Sequence, residues 1–418
     1  DGYDRTTAIL IKTGKHGHSQ GLGIYKKKGQ LPPGPTPWPF LGNLLQRDVL
    51  PVDTSYKKLT AKYGPIFTVW IGSKPMVALC GYEVVKDALL DHAEEFGGRT
   101  ETPVNRRLFQ NKDGATSYDN QWRELRRFTL SALRDFGMGK KRMSERVQEE
   151  ALCLAEEMAT TKGQAFDPRR RLTSAVSNVI YQIFIENQQI MESQARFFNS
   201  FVGLEQNSSE VIYTSEGLVI TVFGLFIAGT ISTSHSLLYS LLVMAKLPHI
   251  QAKVQQEIDE VVGEHRTPSM EDRLKMPFTN AVVHEVQRYQ KGSLETFPRA
   301  TTCDTKFHGY NIPKYVAVAP ILSSVHFDPL YWETPEKFNP DHFFVFFFAI
   351  AGKRACPGEA LARMELFLFF STLLQKFTFH LVGDSKDTDV MSLYVDFTNK
   401  NQYPLIRAVK RSVHTCVQ

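Results

Sequence analysis

Apolar residues recur at helical spacing along much of the chain. Between Gln121 and Leu133 they fall on one side of a helix, at Trp122, Leu125, Phe128 and Leu133. The same spacing occurs in His249–Val262, in Asn280–Tyr289 and in the run that follows Gly358, EALARMELFLFFSTLLQKF. Because a helix repeats every 3.6 residues, this pattern predicts amphipathic or buried helices at all four places.

Shorter apolar runs bounded by turn residues predict a smaller β part. Ile66–Ile71 and Met76–Cys80 flank the turn GSKP, which is typical of a hairpin. Prolines break the stretch Gly292–Pro340 into strand-like pieces, and Ser392–Phe397 is a further predicted strand. Five prolines in residues 31–43, LPPGPTPWPFLGN, predict a stiff extended segment ahead of the folded domain. The predicted fold class is mainly α with a minor β part.

The most hydrophobic stretch of the chain is internal, from Leu218 to Met244. Small and hydroxyl residues interrupt it at its middle, over residues 229–236. We interpret it as a buried helix of a large domain rather than a membrane span, because a lipid-facing helix lacks such a polar belt. The first thirty residues are polar and basic and contain no apolar stretch, so we expect a polar tail over residues 1–30 without a membrane anchor.

Composition narrows the class of protein. The 418 residues are 42% hydrophobic and 22% charged, which is a globular composition and excludes extensive disorder. A formal net charge of +5 is too small to indicate a nucleic-acid binder. The five cysteines are scattered and form no CxxC pair, which is typical of a reducing compartment: Cys80, Cys153, Cys303, Cys356 and Cys416.

Cys356 is the cysteine whose surroundings favour chemistry. It stands between Gly352 and Gly358, immediately before a predicted helix, and Lys353 and Arg354 precede it. Most lone cysteines are small buried hydrophobes. Positive charge and a helix N-terminus, however, lower the pKa of a thiol and favour the thiolate. A thiolate in such a loop suits the axial ligand of a haem iron, with basic residues near the haem propionates.

A second motif is the pair Glu285 and Arg288, three residues apart on one helical face. Alone this pair does not indicate a functional site, because ion pairs at this spacing are common on the surfaces of helices. His284 precedes it, but position 288 is Arg, so a zinc motif H-E-x-x-H is excluded. The chain also has no Walker loop and no G-x-G-x-x-G after a strand, so nucleotide chemistry has no support.

The order of these features resembles the cytochromes P450. A proline-rich segment, W-x-x-x-R, an interrupted long helix, E-x-x-R and G-x-R-x-C-x-G follow one another in this chain. Four segments are similar in sequence to the corresponding segments of family 2 of the vertebrate microsomal enzymes: LPPGPTPWPFLGN, WRELRRFTLSALRDFGMGKK, FTNAVVHEVQRY and GKRACPGEALARMELFLFF. The resemblance implies a haem-thiolate domain over residues 31–418, shortened near 180–217 and 343–352.

The resemblance also implies roles for individual residues. Cys356 would be the proximal thiolate and the only protein ligand to iron. The propionates of haem b (iron protoporphyrin IX) would be held by Trp122, Arg126, Arg299 and Arg354. Glu285, Arg288 and His342 would form a structural charge cluster. The hydroxyls of Ser232 and Thr233 would deliver protons during oxygen activation.

By the same resemblance the protein would insert one oxygen atom into an apolar small molecule. Electrons would come from an NADPH-dependent flavoprotein reductase, with a b-type cytochrome as an additional partner. The docking face would be the basic positions Arg123, Arg127, Arg134, Lys140 and Lys141, which a solvated helix face would explain nearly as well. The implied location is the cytoplasmic face of the endoplasmic reticulum membrane.

Four departures from the family keep alternatives open. The first is the expected polar tail in place of the family's N-terminal membrane anchor. The acid–alcohol pair of the long helix is replaced by Ile231 and Ser232, and Ala349 stands where the signature before the cysteine begins with Phe. The helices that roof the substrate pocket are shortened. One alternative is therefore a haem-binding relative that is catalytically impaired or inactive. The other is a chain that does not load haem at all.

Overall fold

The structure is a computed structural model. It describes residues 31–100, 120–138, 140–185, 215–290, 298–344, 352–383, 390–393 and 404–411. The predicted polar tail, the shortened stretch beyond residue 185, Ala349 and Cys416 lie outside the described residues. The chain divides into two compact units. The β unit comprises Asp1–Pro103, Leu294–Asp328 and Ile350–Ala355, and the helical unit comprises Val104–Ser293, Pro329–Ala349 and Cys356–Gln418.

The helices in the described residues are, in chain order, α1 Val52–Tyr63, α2 Tyr82–Lys86, α3 Asn120–Asp135, α4 Lys141–Ala159, α5 Arg169–Ile185, α6 Ser215–Lys246, α7 Pro248–Val261, α8 Pro277–Tyr289, α9 Ser323–His326 and α10 Glu359–Lys376. A π-helical turn, Asp87–Asp91, continues α2. Short 3₁₀ helices cover Asp272–Lys275, Pro340–Phe344 and Val390–Leu393. The strands are β1 Ile66–Ile71, β2 Lys74–Leu79, β3 Gly98–Arg99, β4 Arg299–Ala300, β5 Thr305–Phe307, β6 Tyr310–Ile312, β7 Ala317–Pro320, β8 Phe377–Leu381 and β9 Ile406–Lys410.

The β unit is built on a mixed sheet with the strand order β1-β2-β7-β4-β3. The predicted hairpin is confirmed, with Ile66 opposite Leu79. Its second strand begins at Lys74, inside the predicted turn. β2 and β7 are parallel, and β3, β4 and β7 pair antiparallel. The β5–β6 hairpin stands apart from this sheet and contributes Phe307 and Ile312 to the core of the unit.

The helical unit has α10 at its centre. Every residue of α10 from Met364 to Gln375 is buried, because α4, α6, α7 and α8 all pack against it. This explains why its sequence is apolar on all sides rather than amphipathic. α4, in contrast, buries only one face, with Met143, Val147 and Leu154 directed into the same core. The four helices predicted from spacing are confirmed, and so is the mainly α class with a minor β part.

Two predictions in this unit need correction. The helix predicted over Leu218–Met244 is present as α6, but only its C-terminal part, Leu237–Met244, is fully buried. Its N-terminal half exposes apolar side chains, and Val219–Lys246 is long and apolar enough to cross a membrane by length and composition alone. The expectation of a buried core helix is therefore right for one half only. The strand predicted over Ser392–Phe397 begins inside a 3₁₀ helix, and residues 394–397 lie outside the described part.

Candidate functional site

The loop that leads to Cys356 is fixed on the β unit. Gly352 has a φ of 85°, and a Cβ at this position would overlap the carbonyl oxygen of Leu89, so only glycine fits here. The Arg354 guanidinium is buried, and its Nε donates to the carbonyl oxygen of Gly97 at 2.9 Å. Lys353 pairs with Glu94. Both basic residues of the motif thus anchor the loop to the segment that follows α2.

Cys356 opens the last part of the helical unit, just ahead of α10. The residue is exposed, yet the protein packed around its thiol raises the thiol pKa, and the carboxylate of Glu359 raises it further. The backbone N–H of Gly358 and the charge of Arg126 act in the opposite direction and are outweighed. The expectation of a lowered pKa is therefore wrong for the free thiol. Coordination to a metal removes the thiol proton in any case.

α3 brings two of the expected propionate partners toward this cysteine. Trp122 is buried, and the Arg126 guanidinium lies 6.0 Å from the centre of its ring. Burial lowers the pKa of Arg126, while the charge of Cys356 opposes that shift. An indole N–H and a guanidinium are the donor types that bind carboxylates. Within the helical unit, Arg126 therefore lies near both Trp122 and Cys356.

The β unit holds the other two expected partners and adds a third arginine. Arg299 on β4 is buried and stands opposite Arg99 of β3 in the sheet register. Arg354 is tied to Gly97, one residue before β3 begins. Arg99 was missed by the sequence reasoning, because only the pairing of β3 with β4, 200 residues apart, brings it beside Arg299. Guanidinium groups are the donors that bind carboxylates in two-point contacts, so these arginines have the right chemistry for haem propionates.

These residues fit a haem group. A thiol stands at the N-terminus of α10, and a Cβ built at the nearby Gly358 would meet nothing within 4 Å, so a flat group can approach the backbone there. In the described part of the chain no three His, Cys, Asp or Glu side chains converge as a metal site. A macrocycle that brings its own nitrogen ligands and needs one thiolate suits this donor set.

Ser232 and Thr233 lie on different sides of α6. Ser232 is exposed, and its Oγ donates to the carbonyl oxygen of Ala228 at 2.7 Å. Thr233 is buried; burial raises the pKa of the Glu365 carboxyl group on α10, and the Thr233 hydroxyl opposes that rise. Their catalytic assignment stays a prediction. The structure gives Ser232 the accessible hydroxyl and buries Thr233 inside the helical unit.

Glu285 and Arg288 form the buried pair that the resemblance implies. The Nε and Nη2 atoms of Arg288 donate to the two carboxylate oxygens of Glu285 at 2.7 and 2.8 Å. His342 joins them, with its Nδ1 atom 3.2 Å from Glu285 Oε1, and the backbone N–H of Asn339 donates to the same oxygen at 2.8 Å. The neighbouring His284 lies with its Nε2 atom 3.4 Å from Arg273 Nη2, and burial, with help from Arg273 and Arg363, lowers its pKa to about 4.

Comparison with known proteins shows the family of the chain. The sequence model of the family "Cytochrome P450" matches residues 32–212 and 187–404. The chain belongs to the cytochrome P450 family. It is 39% identical to Cytochrome P450 2C38 of Mus musculus, over 87% of this chain and 91% of that protein. It is 38% identical to Cytochrome P450 2C14 of Oryctolagus cuniculus, over 89% of this chain and 93% of that protein, and 38% identical to Cytochrome P450 2B4 of the same species, over 88% and 91%.

The resemblance to family 2 is therefore confirmed, and with it the enzyme class. The chain is a cytochrome P450 monooxygenase, an oxidoreductase that uses a haem iron. Its P450 fold positions Cys356 between a glycine-fixed loop and α10. The roles of the individual site residues remain predictions that the geometry supports to different degrees.

Proposed function

We propose that this P450 is a haem-thiolate monooxygenase of apolar small organic molecules, with haem b bound through Cys356. The observation that carries the proposal is the thiol at the N-terminus of α10 with the Gly358 N–H and Arg126 beside it. When bound, the haem supplies the iron that binds and activates O2. Trp122, Arg126, Arg299 and Arg354, joined by Arg99, would hold its propionates. The test is the reduced carbon-monoxide difference spectrum, in which a thiolate-type Soret band is expected. A protein that folds without that band overturns the proposal.

The overall reaction needs two electrons and two protons. A substrate RH, O2, NADPH and one proton give ROH, water and NADP⁺. The exposed hydroxyl of Ser232 is the group of this chain that would hold a proton and pass it on, on the side of the haem opposite Cys356. Replacement by alanine should lower the ratio of product formed to NADPH consumed while leaving the Soret band unchanged.

The exposed half of α6 supports an apolar class of substrate. Val219, Phe223, Ile227 and Ile231 recur every four residues and are all exposed, so they form one apolar stripe that ends beside Ser232. An apolar ligand would gain about 25 cal/mol for each Å² that it covers on such a surface. We therefore expect hydrocarbon-rich substrates. Phe223→Asp should raise the KM for an apolar probe such as 7-ethoxycoumarin, and an unchanged KM would contradict this expectation.

The electron donor would dock on α3 and the turn after it. Arg123, Arg127, Arg134, Lys140 and Lys141 are all exposed, although Arg127 already pairs with Glu124 at 2.9 Å. An acidic NADPH–cytochrome P450 reductase, and a b-type cytochrome as second donor, would meet this charge with a rate that falls as salt rises. Arg134→Glu should slow reductase-driven reduction, whereas Lys162→Glu, at an exposed site beyond α4, should not. Equal rates in both variants would exclude this face.

The protein would contact the membrane surface through the end of the proline-rich segment and the residues that follow it, 38–45. Trp38, Phe40, Leu41, Leu44 and Leu45 are exposed there together with Ile71 of the β1–β2 hairpin, to which Gly42 is bridged. Exposed apolar patches of this kind mark interaction sites. With the family's microsomal location, they support attachment to the cytoplasmic face of the endoplasmic reticulum membrane. Phe40→Asp should weaken binding to phosphatidylcholine vesicles in flotation, and Leu330→Asp, at an exposed leucine of the helical unit, should not.

A second candidate, a P450 with impaired oxygen activation, is favoured by one observation. Ile231 is 51% exposed next to Ser232, where it can neither donate nor accept a proton, and the Ser232 hydroxyl is already bonded to Ala228. General acid–base help is worth about 10²–10⁴-fold. Under this reading most of the electrons from NADPH would reduce O2 to hydrogen peroxide, with NADP⁺ as the other product. The double variant Ile231→Glu, Ser232→Thr should then raise the product-to-NADPH ratio, and an unchanged ratio would count against it.

A further inference from the structure

Asp87, the first residue of the π-helical turn after α2, lies between two histidines of the β unit. Its Oδ1 atom is 2.8 Å from His92 Nδ1. Its Oδ2 atom is 2.8 Å from the Nε2 atom of His308, 221 residues further along the chain. Because a carboxylate can only accept hydrogen bonds, each of these ring nitrogens carries the proton that it donates. These three residues, which we call the Asp87 clasp, connect the end of α2 to the tip of the β5–β6 hairpin.

The backbone of the hairpin tip is shaped for this contact. His308 and Gly309 form the two-residue turn between the paired residues Phe307 and Tyr310, and both have a positive φ, of 46° and 84°. Such turns match the twist of a hairpin, but a positive φ is unfavourable for a residue with a Cβ. The hydrogen bond to Asp87 compensates for part of this cost, so a histidine stands where glycine or asparagine would be expected.

Aromatic packing next to the clasp joins the same two pieces of chain. The ring of Phe307 is 1% exposed. Three rings meet it at steep angles, with centroid distances of 5.3 Å from His92, 4.9 Å from Phe96 and 4.5 Å from His308. Edge-to-face contacts at these distances are favourable. Both histidines of the clasp therefore have two partners each, the carboxylate and the buried ring, which fixes their orientation.

Residues 87–97, which begin at the clasp, also hold the loop that leads to Cys356. Three contacts do so: the carbonyl oxygen of Leu89 opposite Gly352, the carboxylate of Glu94 with Lys353, and the carbonyl oxygen of Gly97 with the Arg354 guanidinium. The far end of this segment is attached to the sheet, since the backbone N–H of Thr302 donates to the carbonyl oxygen of Glu95 at 2.8 Å. The near end is attached through the clasp.

We propose that Asp87 is a positioning residue for the thiolate, because its bonds to His92 and His308 hold residues 87–97 and, through them, the loop that ends one residue before Cys356. The inference rests on the proposed role of Cys356 as the iron ligand. The clasp side chains are 29% to 41% exposed, and a single exposed pair contributes little. One carboxylate that binds two packed imidazoles is a network of contacts, so its removal should raise the opening of the loop by about tenfold.

The first experiment measures the loop directly, by hydrogen exchange of the purified protein. The backbone N–H of Ala355 donates to the carbonyl oxygen of Gly352 at 3.0 Å, so its exchange rate reports how often the loop opens. In Asp87→Ala this amide should exchange about tenfold faster than in the parent protein, while the amide of Phe369, buried in α10, keeps its rate. An unchanged rate at Ala355, or an equal rise at Phe369, overturns the proposal.

The second experiment follows the thiolate-type Soret band in urea too dilute to change the far-ultraviolet circular dichroism. The band of Asp87→Ala should decay about tenfold faster than that of the parent protein. His92→Phe keeps a ring against Phe307, and His308→Asn keeps a residue that tolerates a positive φ. Each removes one bond of the clasp and should decay at an intermediate rate. Asp87→Asn should be nearest the parent, because an amide can accept from one imidazole and donate to the other.

Asp304→Ala is the matched control. Asp304 is exposed at the open end of the same hairpin, where its Oδ1 atom accepts from the backbone N–H of Lys314 at 2.7 Å. If Asp304→Ala speeds the decay as much as Asp87→Ala, the positioning role is wrong. A parent protein without the thiolate-type band defeats the proposed function, while exchange at Ala355 still tests the clasp. Should Asp87→Ala not fold, His92→Phe and His308→Asn take its place in both experiments, and parent-like rates in both variants overturn the proposal.

Discussion

Replacing Glu285 by alanine should prevent most of the protein from folding and loading haem. The carboxylate is fully buried, and the Arg288 side chain is 3% exposed. Besides Glu285, Arg288 has the carbonyl oxygens of Pro335 and Lys337 as acceptors, at 3.0 and 3.1 Å. Carbonyl groups satisfy its N–H donors but do not neutralise its charge. The variant therefore keeps a buried cation that has lost the carboxylate with which it pairs.

The size of the effect follows from that arrangement. Removing one partner of a buried ion pair costs about 3–5 kcal/mol. The loss belongs at the upper end here, since the backbone N–H of Asn339 also loses its acceptor. Globular proteins have a free energy of unfolding of about 5–15 kcal/mol, so the variant would retain little of it. Glu285→Gln preserves the shape but not the charge and should remain strongly destabilised.

Two measurements check this reasoning. The yield of haem-loaded protein is read from the reduced carbon-monoxide difference spectrum, and the free energy of unfolding from urea titration. Asp48→Ala is the control, because Asp48 and Lys58 form an ion pair at 3.4 Å that is about two-thirds exposed on both sides. Such pairs contribute about 0–1 kcal/mol. The reasoning is refuted if Glu285→Ala unfolds within about 1 kcal/mol of the parent protein and loads haem normally.

Three further predictions concern other parts of the molecule. Cys356→Ser should abolish the thiolate-type Soret band and Cys153→Ser should preserve it; the reverse result would reassign the iron ligand. Gln251→Leu should lower the free energy of unfolding by about 1–3 kcal/mol and with it the urea concentration at the midpoint. The reason is that Gln251 accepts from the N–H of Phe379 at 2.7 Å and donates to its C=O at 3.1 Å. Burial raises the pKa of Asp272, but hydrogen bonds from Arg266 and Ser269 outweigh it and lower the pKa. The contribution of Asp272 to the free energy of unfolding is therefore present above its unfolded-state pKa, about 3.9, and is lost as pH falls through the lower folded-state pKa. Asp272→Asn should flatten the acid limb of the plot of unfolding free energy against pH.

The sequence predicts those features of the fold and of the site whose residues lie within one element of secondary structure. The spacing of apolar residues gave α7 and α8 to within three residues at each end, because helix burial repeats along one stretch of chain. The pairing of Glu285 with Arg288 follows from one turn of helix. Arg99 and Asp87 were beyond such reasoning, since a partner of each comes from a distant element, β4 or the β5–β6 hairpin. The lowered pKa expected for the Cys356 thiol is wrong because the burial that raises this pKa depends on the whole fold.

The two glycines that flank Cys356 offer different opportunities for protein engineering. Position 352 has no freedom: its backbone conformation and the Leu89 carbonyl both reject a side chain. Position 358 has a φ of −95° and open space around its Cβ direction. A side chain at residue 358 would therefore leave the backbone of the loop where it is and enter the space through which the haem would approach, so a set of variants of increasing size at residue 358 measures the room that the haem needs. Varying residue 352 would instead dislodge the loop, so a redesign of the thiolate's surroundings should start from the side of α10.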